Sequence, residues 1–294
     1  MKRYQKPIVA FVMFLVIQIF ASIIIAIPAL VIGVVGAAKA GEKIDPNTIE
    51  SVMPGWLLAV VLCVSSIITI FFMQKRMKML ELKKSFNKPN MSLGKGIYLV
   101  FAAFVGIYAT NIISEYMDLP NLIEAQLGDM ASTFLGVLAI AFLGPLAEEV
   151  TFRGAIQRHL HITGQNPWRA ILIASILFGV MHMNPAQIPF AAIIGFIMGI
   201  FYWKTQSLVL PVIIHVLNNG IACLLMNIAP EDSSLIELLG GPAIALSIAA
   251  AGFVFCGYVL YNYSKEPGVE IETIPVAGAP ALKVETATEE NKTE

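Results

Sequence analysis

Apolar runs of about twenty residues, nearly free of charge, recur along the chain between short polar stretches. The first is Ile8 to Ala38, interrupted by Pro28. Trp56 to Met73 is the second, Ile97 to Ile113 the third and Thr133 to about Leu160 the fourth. Trp168 to His182, Phe190 to Trp203, Leu208 to Ile228 and Pro242 to Tyr263 follow. A helix needs about twenty apolar residues to cross a bilayer, so the pattern predicts an all-α, polytopic transmembrane helix bundle with about eight spans. Between spans two and three, Met77, Met79, Leu80 and Leu82 alternate with lysines and arginines. That reads as a helix on an anionic membrane surface or as a solvated loop. The acidic loop after the third span repeats Leu119, Leu122, Ile123, Leu127 and Met130 at helical spacing and predicts a second surface helix.

Composition agrees. Of 294 residues, 57% are apolar and 13% charged, where a soluble domain carries about 25% charge. Cys63, Cys223 and Cys256 all lie within apolar runs, which excludes a disulfide framework or zinc knuckle. The net charge of -1 is uninformative, but its distribution is not. With eight spans, every Lys and Arg except Lys39 and Lys43 falls on one side. The positive-inside rule then gives N-in, C-in. The chain divides into N-terminal spans and loops (1–130), a core (131–226), a last span region (227–263) and a disordered acidic tail (264–294).

Against that apolar background the charged groups inside spans stand out. One ionised side chain at mid-bilayer costs about 2.5–3.5 kcal/mol on insertion scales. The fourth span carries Glu148, Glu149 and Arg153, the fifth ends in His182, and the seventh holds His215, Asn218 and Asn219. Glu149 and Arg153 are spaced i,i+4 with the acid N-terminal, the favourable order for an ion pair. Glu148 is rotated about 100° away and is left to face a cavity. His215 and Asn219 share one face, as do Phe178 and His182. A carboxylate in a low-dielectric site is a stronger base, so Glu148 with His182 fits water activation, with His215 and Asn219 as oxyanion donors. The same Glu148, His182 and His215 also have the composition of a catalytic zinc site, with Glu149 or a neighbour as base. Counted from the cytoplasmic ends, His215 lies about 12 Å in and His182 about 20 Å in, so tilt or a later helix start must bring them together. His159 and His161 read as solvated turn residues, and Asn218 as helix packing.

Glu148-Glu149-x-x-x-Arg153, Phe178-x-x-x-His182 and His215-x-x-x-Asn219, in that order and within apolar helices, resemble the three motifs of the CAAX-protease and bacteriocin-processing intramembrane proteases (the Abi or type II CAAX prenyl endopeptidase family). Ser207-Leu208-x-x-Pro211 before His215 is similar too. The resemblance covers roughly Ala131 to Met226. It implies an endopeptidase in which Glu148 activates water, His182 helps hold it, and His215 with Asn219 stabilises the oxyanion. It allows zinc or another divalent metal, or a metal-free glutamate mechanism. The expected partners are a membrane-associated protein or peptide substrate and the lipid bilayer, with no nucleic acid, in a prokaryotic cell membrane. The competing readings are a non-catalytic bacteriocin-immunity or partner-binding protein on the same scaffold, and a proton-coupled transporter.

Overall fold

The computed structural model describes residues 2–41, 53–228 and 234–271, and all regular structure among them is helical. Seven helices are long and apolar enough to cross a membrane. They are α1 (Lys2–Lys39), α2 (Gly55–Arg76), α4 (Leu93–Met117), α6 (Phe134–Ile162), α8 (Ile188–Thr205), α9 (Val209–Ile228) and α11 (Pro242–Lys265). Short helices α3 (Leu82–Ser85), α5 (Glu124–Ala131), α7 (Pro167–Val180) and α10 (Leu235–Leu238) lie between them. The protein is an integral membrane helix bundle.

Two expectations about spans change. The fifth expected span is α7, only 14 residues long, about 21 Å at 1.5 Å per residue. Asn166 starts it, accepting from Trp168 N at 3.0 Å and Arg169 N at 3.3 Å, with Pro167 at the first helical position. Beyond Val180 the backbone turns, with Met183 in the left-handed region at φ 49°. Nor does Pro28 interrupt α1, which runs unbroken for 38 residues. Its large side chains, such as Ile24 and Ile32, are exposed on the surface that lipid would cover.

The basic stretch is not a surface helix. Met79 and Leu80 are buried in the main core. Arg158 donates to Met79 O at 3.0 Å, and Leu208 N donates to Ser85 O at 2.7 Å. The segment folds against the bundle, because its apolar side chains find protein partners there. The acidic loop does contain a helix, α5. Its N-terminal Ile123 and its Leu127 turn toward a cavity. The expected solvated histidines are also revised. His159 and His161 are buried, because α6 continues through them and packs against α1. The acidic residues Glu231 and Asp232, Lys43 and the tail beyond residue 271 lie outside the described residues.

Helix α6 is the centre of the bundle, packed against α1, α2, α7 and α9. Phe152, Ile156 and Leu160 on it are fully buried with Phe178 of α7 and Met198 and Phe201 of α8. Its winding widens to π-helical over Ala139–Leu143 and Val150–Gln157. The first widening has a cause in Pro145, which has no N–H and crowds the preceding turn. Gly144 N reaches back five residues to Ala139 O. The next donor in that pattern would be residue 145, so Ile140 O loses its helical partner.

Candidate active site

Glu149 and Arg153 form the ion pair their spacing predicts, with Arg153 Nη1 donating to Glu149 Oε1 at 2.9 Å. Both side chains are buried, at 0% and 1% exposure. The guanidinium also donates from Nη2 to Gly195 O at 3.0 Å and lies 4.4 Å over the Phe178 ring. This seat requires glycine at 195: a Cβ there would come within 3.0 Å of the Phe178 ring and 3.1 Å of Arg153 Nη2. One turn on, Gln157 Nε2 donates to Gly199 O at 2.8 Å, a parallel contact with no counterpart in the motif reading.

His215 Nδ1 lies 2.8 Å from the same Glu149 Oε1. A carboxylate paired with arginine has no proton to give, so Nδ1 is the donor. The other ring nitrogen, Nε2, is 3.6 Å from Glu148 Oε2. Glu148 is 16% exposed and its Oε2 has no hydrogen-bond partner. Thus adjacent carboxylates have different environments: Glu149 is held from two sides, and Glu148 faces a cavity of about 390 Å³.

The cavity wall also includes His182, His215, Asn218 and Asn219, under a roof of Ile123 and Leu127. His182 Nδ1 is 2.9 Å from Phe178 O, which leaves Nε2 for the cavity. Phe178 packs against both histidines. Its ring centroid is 5.2 Å from the His182 ring and 5.6 Å from the His215 ring. Asn219 Nδ2 donates to Ile140 O at 3.0 Å, the carbonyl left over by Pro145. Asn218 Nδ2 donates to Asn219 Oδ1 at 3.1 Å, so Asn218 orients its neighbour as well as packing.

The six candidate residues thus form one connected group, four of them at the cavity. Glu148, His182, His215 and Asn219 line it, while Glu149 and Arg153 stand behind His215. Residues 130–221 match the family model for the Rce1-like type II CAAX prenyl endopeptidases. That stretch of the chain is similar to this family. The Rce1-like segment contains every one of the six. The membrane-embedded CAAX protease MroQ of Staphylococcus aureus (strain USA300) is 27% identical over 184 residues, covering 60% of this chain and 74% of MroQ. The putative membrane peptidase YdiL of Bacillus subtilis (strain 168) is 24% identical over 123 residues, covering 40% of this chain and 50% of YdiL. No solved structure matches the chain.

Among the described residues, no three His, Cys, Asp or Glu side chains cluster tightly enough to hold a metal ion. Glu148 and His215 approach each other at 3.6 Å, but no third such donor among the described residues completes a metal site with them. The donor set Glu148, His182 and His215 does not fit a zinc ion in this arrangement. The three cysteines are free and buried, as expected of packing residues.

Proposed function

We propose that this chain is an intramembrane endopeptidase that hydrolyses a peptide bond in a membrane-associated protein or peptide. The similarity of residues 130–221 to the Rce1-like endopeptidases supports a peptidase, and the mechanism below is our reading. The observation that carries it is the free Glu148 carboxylate at the cavity wall, 3.6 Å from His215 Nε2, beside a partner carboxylate already neutralised.

In this reading Glu148 takes a proton from a water in the cavity, and His182 Nε2 orients that water. The hydroxide oxygen bonds to the peptide carbonyl carbon, and the carbonyl π pair moves onto oxygen. The oxyanion accepts from the N–H of Asn219 not engaged with Ile140 O and from a protonated His215 Nε2. Glu149 supports that imidazolium from behind through Nδ1. Collapse of the tetrahedral intermediate breaks the C–N bond, and Glu148 returns its proton to the leaving amine. Arg153 pairs with Glu149 and keeps it in place. The donor set supports this protein-only route, which needs no ligand bridging Glu148, His182 and His215.

We also infer N-in, C-in topology from the lysine and arginine distribution, residues 131–226 as the catalytic unit, and a prokaryotic cell membrane from the bacterial relatives. The test compares new protein N-termini and released peptides in membranes of cells expressing wild type, Glu148→Ala or neither. Cleavages seen only with wild type are expected, and they name the substrate. Identical peptide sets at equal expression of wild type and Glu148→Ala would falsify the catalytic reading and leave a binding or immunity role.

A further inference from the structure

The turn that carries His182 is irregular backbone between α7 and α8. It holds one buried polar side chain, Asn184, which is 0% exposed, and a buried amide needs partners for its donors and acceptor. Its Oδ1 accepts from Leu122 N at 3.0 Å, and its Nδ2 donates to Asn121 Oδ1 at 2.9 Å. Its main-chain oxygen accepts from Gln187 N at 2.8 Å and Ile188 N at 3.0 Å, which starts α8. Next to it, Ala186 N donates to Pro120 O at 3.2 Å. Two irregular segments 62 residues apart, as measured from Leu122 to Asn184, are therefore stitched together.

Both segments border the cavity. The turn contributes His182, Ala186 and Gln187; the linker leads from Asp118, in the left-handed region at φ 43°, to Ile123 and α5. The far end of α5 is also tied. Gly55 N donates to the Asp129 carboxylate, and Asn227 Nδ2 donates to Ala131 O at 2.9 Å. The roof made by Ile123 and Leu127 is thus fixed at both ends.

We propose that Asn184 is a positioning residue, fastening the His182 turn to the α5 linker so that His182 and the cavity roof keep one relative geometry. This rests on the proteolytic reading above. Asn184 touches neither Glu148 nor the cavity surface, so it acts through His182 and Ile123. A displacement of about 1 Å at a reacting group costs roughly 10²-fold in rate.

The test uses the full chain in lipid nanodiscs, with a quenched peptide copied from the cleaved sequence as substrate. Asn184→Ala, Asn121→Ala and the double variant are compared for kcat, KM, melting temperature and amide exchange. We expect kcat to fall about 10²-fold in Asn184→Ala, with exchange rising at 118–123 and 181–188 together. Asn121→Ala, on an exposed side chain, keeps the Leu122 bond; its loss is smaller and gives a folded variant if Asn184→Ala misfolds. The double variant should match Asn184→Ala alone, because both changes open one clip. Wild-type kcat in Asn184→Ala, or losses that multiply in the double variant, overturn the proposal. Cleavage that survives Glu148→Ala overturns the proteolytic reading and the positioning role together. Loss in Glu148→Ala with no loss in the asparagine variants overturns the positioning role alone.

Discussion

One oxygen of Glu149 receives both Arg153 and His215, and this sets the electrostatics of the site. Arg153→Met removes the cation and leaves a buried carboxylate facing only an imidazole. Breaking a buried pair from one side costs about 3–5 kcal/mol. We expect lower yield and a lower melting temperature in detergent; an unchanged melting temperature would count against the pair as the anchor of the site. Arg153→Lys should not restore it. A lysine offers no planar fork to reach Glu149 and Gly195 O together, and it does not stack flat on Phe178. At this scale the sequence was partly readable. The Glu149–Arg153 pair follows from i,i+4 spacing because it is local. The His215–Glu149 contact joins residues 66 apart, and no periodicity reports it. Asn219 was expected to serve the oxyanion alone, yet one of its N–H groups holds Ile140 O. The signal for that was Pro145, whose missing N–H must leave a carbonyl to be satisfied from elsewhere. Asn184 carried no comparable signal, since its role depends on two loops meeting.

Among elements, α6 does more than place two carboxylates. Its π-helical stretch at Ala139–Leu143 frees Ile140 O, and that carbonyl ties α6 to α9 through Asn219. Pro145→Ala supplies the missing N–H and lets Ile140 O bond within its own helix. The melting temperature should hold or rise, because a helix-breaking residue is removed. Turnover should fall, because Asn219 loses the acceptor that fixes its amide. Melting and kcat measured on the same preparation check this; a rise in stability with unchanged kcat would remove Asn219 orientation from the mechanism. Helix identities were well predicted by hydropathy, with ends shifting by a few residues, as from Phe190–Trp203 to Ile188–Thr205. The basic stretch was misread because interleaved methionine and leucine look alike whether they meet lipid or a protein core. His159 and His161 were misread for the converse reason. Polar side chains near a span end resemble a loop until the packing of α1 is known.

In the whole molecule, α6, α7 and α9 converge on one cavity that α5 and the stitched loops close from another side. The bundle class was evident from apolar run lengths, since lipid forces helices with internally bonded backbones. The convergence was evident only from the three motifs together. The shortness of the fifth expected crossing was not, because a run of apolar residues does not reveal where a helix stops inside it. Helix α7 stops after 14 residues, about 21 Å, against a hydrocarbon layer of about 30 Å. Around that helix the bilayer must thin, at fractions of a kcal/mol per Å of mismatch. The active geometry should therefore be sensitive to acyl-chain length. Reconstituted in short-chain phosphatidylcholine, the protein should turn over faster than in long-chain phosphatidylcholine, with the same fraction folded. A rate independent of chain length would mean that neighbouring helices shield α7 fully from lipid. If turnover follows chain length, the composition of the host membrane, and not only its enzymes and substrates, sets how fast this protein works.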